Sequence, residues 1–121
     1  MTTQVDLELI RGDDATFDIV VRDAVGKPVN LTGGILRFTA RTRSSSLTEI
    51  LAKSSAVVGE ITFTDQINGM ASLALVPADT DTLYAPLSLV YDFEFTAGGT
   101  GLVTTVLPAG ILYIRRDITH P

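Results

Sequence analysis

A chain of 121 residues with a formal net charge of -5 has the length of one domain and is acidic. This length allows a two-layer hydrophobic core and leaves little room for a second one. The negative charge disfavours binding to nucleic acid and to anionic membranes. Cysteine is absent, which excludes disulfides, thiolate metal sites and cysteine nucleophiles. We therefore expect a single domain, residues 1–121, with neither nucleic acid nor membrane as a partner.

The beginning of the chain shows no secretory signal. Residues 1–8 carry acidic side chains where such a signal has lysine or arginine, and no continuous apolar segment follows them. Apolar residues make up 45% of the chain, yet no uncharged run reaches the length of a membrane span. We expect synthesis in the cytoplasm, and we assign the apolar surplus to sheet faces, including one that contacts another subunit.

The first half of the chain contains short runs in which apolar and polar residues alternate, as they do in half-buried strands. Turn residues separate these runs, as at Arg11-Gly12-Asp13 and at residues 23–28. The run over residues 49–53 is weaker, and we expect an edge strand there. The predicted inward positions are Val5, Leu7 and Leu9, then Phe17, Ile19 and Val21, then Leu36, Phe38 and Ala40, and finally Ile61 and Phe63.

A hairpin and a helical turn are predicted next. The Asn68-Gly69 pair favours a tight turn between two strands, because both residues tolerate a left-handed backbone. Residues 77–83 predict a single helical turn capped by Asp79. Between these two features, the inward positions are Ala71, Leu73 and Leu75.

The strand over residues 89–96 carries the densest aromatic row of the chain. Its inward face holds three of the chain's eight aromatic residues, so we expect the core to form on it. A glycine-rich turn over residues 97–101 predicts a hairpin to a strand over residues 102–107, and Gly110 then opens a last strand. The inward positions are Leu89, Tyr91, Phe93 and Phe95 in the aromatic strand, and Leu112, Ile114 and Ile118 in the last one.

The strands recur about every ten residues with turn signals between them, which is typical of an antiparallel sandwich. The sequence therefore predicts an all-β fold, a single antiparallel β-sandwich of about eight or nine short strands.

The motifs along most of the chain resemble those of a known group of domains. The resemblance rests on Arg11-Gly12-Asp13, Phe17, Gly26-Lys27-Pro28-Val29-Asn30-Leu31-Thr32-Gly33, Phe38-Thr39-Ala40-Arg41, Asn68-Gly69, Pro77-Ala78-Asp79-Thr80, Tyr91-Asp92-Phe93-Glu94, Gly110 and Asp117-Ile118-Thr119. Together they are similar to the small immunoglobulin-like domains of tailed-bacteriophage virion proteins, and in particular to the N-terminal domain of baseplate upper proteins. The resemblance implies an immunoglobulin-like sandwich, present in several copies, that attaches a fibre or receptor-binding protein to the tail or lies in the tail or neck.

Three short patterns could carry chemistry, but each has a simpler structural interpretation. Arg11-Gly12-Asp13 matches an adhesion tripeptide, and we interpret it as a turn between strands. Asp79 and Asp81 have the spacing of the first ligands of a calcium loop, but the remaining ligands are missing and a helix cap is the better interpretation. His120, the only histidine, lies next to the last residue, where nothing orients it as a base or ligand.

Asp92 and Glu94 lie on the outward face of the aromatic strand, and paired carboxylates can serve as the acid and base of a glycosidase. Arg37 and Arg41 share the outward face of a strand that could lie beside it. We therefore favour cross-strand ion pairs or an intersubunit contact over catalysis.

The motifs of common enzymes are absent from the sequence. There is no Gly-x-Ser-x-Gly nucleophile elbow and no phosphate-binding loop with Gly-Lys-Ser/Thr. We expect no enzyme activity, no cofactor, no metal and no catalytic residue. The leading hypothesis is a structural protein of a tailed-phage virion, an adaptor in the tail, baseplate or neck that contacts other phage structural proteins and copies of itself.

Two alternatives stay open. A head-decorating protein of the capsid is the first. The second is a module that binds carbohydrate on the host surface, for which Tyr84 and Tyr113 are the plausible pair of exposed aromatic residues.

Overall fold

The computed structural model describes residues 5–43 and 49–116, which form eight β-strands and one helical turn. The strands lie in two sheets. One is five-stranded and mixed, with the order β1-β8-β7-β3-β4, and the other is three-stranded and antiparallel, with the order β2-β6-β5. The prediction of an all-β chain is confirmed. The elements are β1 Leu7–Ile10, β2 Ala15–Val20, β3 Ile35–Arg41, β4 Leu51–Ser54, β5 Ile61–Asp65, β6 Met70–Leu75, α1 Pro77–Thr80, β7 Leu87–Thr96 and β8 Val103–Arg115.

The aromatic strand is β7, which lies between β3 and β8 at the centre of the larger sheet. Its four predicted inward residues are all buried, and the side chain of Phe93 is fully enclosed. The rings of Phe93 and Phe38 have centroids 5.3 Å apart, and Tyr91 meets Phe93 edge to face at 6.0 Å. Both are favourable arrangements for aromatic pairs. The prediction that the core forms on this strand is confirmed.

Buried residues from both sheets belong to one hydrophobic core. The predicted inward positions of β3 and β6 are all buried, whereas Phe17 and Phe63 are only partly covered. Val5 lies before β1 and is exposed, so the first strand is shorter than its alternating pattern predicts. β4 lies at the edge of its sheet, as expected from its weak strand pattern.

The prediction that all strands pair antiparallel is wrong for β1. This strand pairs parallel with β8, with Leu7 beside Leu112 and Ile10 beside Arg115. A parallel pair needs a long connection between its strands, and here nearly the whole chain provides it. The two-residue alternation of a strand shows which side chains turn inward, but it contains no information about the direction of the neighbouring strand.

The two strands predicted after the glycine-rich turn form one strand, β8, which pairs antiparallel with β7 along its length. The register shifts in the middle: β7 advances two residues, from Tyr91 to Phe93, where β8 advances four, from Val106 to Gly110. The extra residues include Pro108, and the irregularity absorbs them without ending the strand. Ile118, predicted to share the inward face of this strand, lies outside the described residues.

The predicted hairpin turn at Asn68-Gly69 joins β5 to β6. Gly69 has a φ of +73°, and a Cβ added to it would lie 2.7 Å from the carbonyl oxygen of Val21. Glycine is therefore required there both by the left-handed backbone and by the close approach of another segment.

The predicted helical turn is α1. The N-cap residue is Val76 and not Asp79, which lies at the third position of the turn. The Asp79 carboxylate accepts the backbone N–H of Val76 at 2.8 Å, so it stabilises the start of the turn from inside it. No helix in the described part of the chain has the length and apolar character needed to cross a membrane.

Candidate interaction surface

The side of the five-stranded sheet turned away from the core, here named the outer face, brings together charged and apolar side chains at its centre. Pairing of β3 with β7 places Thr39 opposite Asp92 and Arg41 opposite Val90, and pairing of β7 with β8 places Val90 opposite Ile111. All five side chains are half-buried. Four of them, all except Ile111, line a shallow depression of about 120 Å³.

Arg41 is the distinctive group of this outer face. One of its terminal nitrogens lies 3.5 Å from the Glu49 carboxylate. Its Nε atom is buried and has no hydrogen-bond partner among the described residues. A buried donor without a partner lowers stability by about 1 to 3 kcal/mol, so native proteins rarely keep one without a reason. The Arg41 side chain as a whole is 30% exposed, so the part of it other than Nε remains open to contact from a second chain.

The predicted cross-strand ion pairs do not form. Arg37 lies opposite Glu94 in the register, but its guanidinium donates to the Thr96 hydroxyl at 3.2 Å. Within residues 5–43 and 49–116, neither Arg37 nor Arg41 lies within 4 Å of the Asp92 or Glu94 carboxylate. Arg41 instead turns toward Glu49, just before the neighbouring strand β4. The alternative of an intersubunit contact stays a prediction.

The Arg11-Gly12-Asp13 tripeptide is a turn between β1 and β2, as predicted. Gly12 has a φ of +83°, and its backbone N–H donates to the Thr80 hydroxyl at 2.8 Å. Arg11 donates to the carbonyl oxygen of Asp81 at 3.3 Å. These contacts fasten the turn to the end of α1.

Asp79, the acidic residue of α1, has structural partners. Asp79 uses one carboxylate oxygen for the backbone of Val76 and the other for the Lys53 ammonium, 2.8 Å away. In the part of the chain that the structure describes, no group of three or more His, Cys, Asp or Glu residues is arranged to hold a metal ion. His120 lies outside the described residues.

Lys53 forms the least exposed ion pair in the described part of the chain, and the sequence did not predict it. Its side chain is only 10% exposed, and its ammonium also lies 3.9 Å from Glu60. The two contacts connect edge strand β4 with α1 and with the residue before β5. The sequence gives no local signal for them, because the partners are distant along the chain.

Tyr91 has a role beyond its ring contacts. Its hydroxyl donates to the carbonyl oxygen of Val5 and so holds the chain before β1 against β7. Burial of the phenol, together with the nearby negative charge of Asp6, raises the pKa of Tyr91 from its ordinary 10.0 to about 12. The neutral hydroxyl is therefore the form that the fold keeps.

The two tyrosines proposed for carbohydrate binding lie in different depressions. Tyr84 is 94% exposed and shares one depression with Arg11 and Arg116. Tyr113 lies in another, beside the Glu8–Arg115 ion pair, whose atoms are 2.9 Å apart. The structure does not bring these two rings to a common depression.

Neither a known protein-family model nor a curated protein sequence matches the chain. The likeness to tailed-phage virion domains therefore rests on the sequence motifs alone.

Proposed function

We propose that the two sheets form an immunoglobulin-like β-sandwich. The strand order supports this proposal. The smaller sheet, β2-β6-β5, has the order of strands B, E and D of that fold, and β8-β7-β3-β4 has the order of strands G, F, C and C′. The shared hydrophobic core is the second support, because the inner faces of a sandwich pack on each other.

We further propose that the chain is a non-enzymatic structural protein of a tailed-phage virion, acting as a tail, baseplate or neck adaptor through contacts between subunits. The observation that carries the assembly role is the half-buried cluster at the centre of the outer face, where Val90 and Ile111 lie beside Arg41. The sequence resemblance supports the virion setting. The proposed partners are other phage structural proteins and further copies of the chain.

The outer face has the composition that such contacts use. Val90 and Ile111 offer an apolar centre, and Arg41 and Asp92 offer one donor group and one acceptor group beside it. A partner that covers these residues would remove apolar surface from water and place an acceptor against the exposed part of the Arg41 side chain. Arginine in a water-excluded position is a frequent source of binding energy at protein interfaces.

The proposal is tested by incorporation into particles. Epitope-tagged chains are produced during phage growth, particles are purified on a density gradient, and the tag is quantified per particle. Arg41→Met should lower incorporation about tenfold or more, because it removes the donor and leaves a side chain of similar length. Arg37→Met is the matched control, since Arg37 lies on the same face of the same strand but is exposed, and it should incorporate like wild type.

Equal incorporation of both variants would exclude the outer face as the contact. Absence of the wild-type tag from purified particles would refute the virion role. Melting temperatures of the purified variants show whether lower incorporation reflects a lost contact or a lost fold.

A further inference from the structure

The first half of β8 has a sheet neighbour on one side only. β7 pairs with this segment from Val103 to Val106, whereas β1 pairs with β8 only beyond it, from Leu112 to Arg115. Among the described residues, no strand covers the second side of the segment 103–105, here named the open edge. Leu102 and Val103 are 66% and 59% exposed, and Thr104 and Thr105 are exposed as well.

The backbone hydrogen bonds at the two ends of this segment show which of its backbone groups face away from β7. The Leu102 carbonyl oxygen accepts from Ala97 N at 2.9 Å, on the β7 side. Leu107 bonds through both its N–H and its carbonyl oxygen to Arg22, on the opposite side. Backbone direction alternates along a strand, so Val103 and Thr105 present their N–H and carbonyl groups away from β7. These groups are free to pair with another strand.

The open edge differs from the other sheet edges in charge. Each of the four strands at a sheet edge carries a charged residue that discourages pairing with another molecule: Glu8 in β1, Asp18 in β2, Lys53 in β4 and Asp65 in β5. Residues 102–107 carry none. They are also β-branched or leucine, which are residue types that favour strands or pack well on apolar surface.

We propose that the open edge binds the same edge of a second copy of this chain, forming an antiparallel pair about a two-fold axis at Thr104. Val103 of each copy would then lie opposite Thr105 of the other, and about four main-chain hydrogen bonds would form. The two Thr104 side chains would lie opposite each other, a favourable cross-strand pair. The inference names one partner for the proposed assembly role and in that sense rests on it.

At the open edge, charge does not oppose a second copy as the partner. Each copy has a net charge of -5, so contacts between two copies are repelled wherever acidic groups meet. The open edge avoids this repulsion, because its own residues are neutral. The acidic residue Glu94 lies opposite Thr105, but it belongs to β7 and is therefore one strand away from the open edge. A segment that pairs with itself needs no complementary sequence, which is what a symmetric contact requires.

Sedimentation equilibrium of the purified chain over a wide concentration range tests the proposal. The wild type should show a monomer–dimer equilibrium. Thr104→Lys places two lysines opposite each other across the axis and should raise the dimer dissociation constant at least about tenfold. Thr62→Lys is the matched control, because Thr62 is an exposed threonine on edge strand β5, and it should dimerise like wild type.

Hydrogen exchange of the wild type gives a second readout that needs no variant. The amides of Val103 and Thr105 should exchange more slowly as the protein concentration rises. A monomer at every concentration, a dimer unaffected by Thr104→Lys, equal weakening by both variants, or exchange at these amides that does not depend on concentration would each overturn the proposal.

The solution dimer and the virion role can fail separately. A monomeric chain that still enters particles refutes the edge pairing alone. A dimer that is absent from particles refutes the virion role and leaves the pairing in place.

Discussion

Replacing Phe93 by alanine removes the ring at the centre of the core. Phe93 is fully buried, and its ring contacts those of Phe38 and Tyr91 at centroid distances of 5.3 and 6.0 Å. Loss of a buried phenylalanine side chain costs about 3 to 5 kcal/mol, because burial energy is lost and a cavity is left. The two ring contacts, worth about 0.5 to 1.5 kcal/mol each, are part of this loss and place it at the high end. We therefore expect the upper part of that range, about 4 to 5 kcal/mol.

Equilibrium unfolding in urea measures the loss as a shift of the midpoint at constant slope. Tyr84→Ala is the matched control: it also removes an aromatic ring, but Tyr84 is 94% exposed and the change should stay within about 0.5 kcal/mol. A Phe93→Ala protein within about 1 kcal/mol of wild type would refute the placement of β7 at the centre of the core.

Three further changes test other parts of the structure. Gly69→Ala should lower the free energy of unfolding by about 2 kcal/mol or more, because the backbone there is left-handed and a carbonyl oxygen would lie 2.7 Å from the new Cβ. Gly99→Ala is the control: its Cβ would meet open space, so its thermal unfolding should be nearly that of wild type. Lys53→Met should lower the free energy of unfolding in urea by about 1 to 3 kcal/mol, because it leaves the carboxylate partners of a largely buried ammonium unpaired. Arg115→Met is the control: it breaks an exposed ion pair and should lower the free energy of unfolding by less than about 0.5 kcal/mol. Burial, and to a smaller extent the charge of Asp6, raises the pKa of Tyr91 from 10.0 to about 12, so between these pH values the folded chain keeps a proton that the unfolded chain releases. The free energy of unfolding of the wild type should therefore fall across this pH range more steeply than that of Tyr91→Phe. Equal slopes for the two proteins would contradict the raised pKa.

The sequence predicts the inward face of most strands because the two-residue repeat is a local property. Leu36, Phe38 and Ala40 are buried as expected, and so are the four inward residues of β7. The partner of each strand is a long-range property. Hence the parallel pairing of β1 with β8 does not follow from alternation, and Pro108 marks an irregularity within a strand where local rules predict a break.

The outer face was predictable only in part. The alternation correctly places Arg41 and Asp92 outward, and the two lie diagonally on neighbouring strands, with Arg41 opposite Val90 and Asp92 opposite Thr39. The prediction of an ion pair between them is wrong, because the side chain of Arg41 turns to Glu49, whose position depends on how the chain enters β4. The buried Nε atom follows from the packing of the side chains around it, and no residue pattern reports such packing.

Immunogold labelling of intact particles, viewed by negative-stain electron microscopy, tests the assembly role most directly. The antibody must first be shown to recognise the native soluble chain. Gold at the tail, baseplate or neck is the result that the adaptor role predicts, and gold over the head would instead assign the chain to capsid decoration. Particles without gold would contradict the virion role.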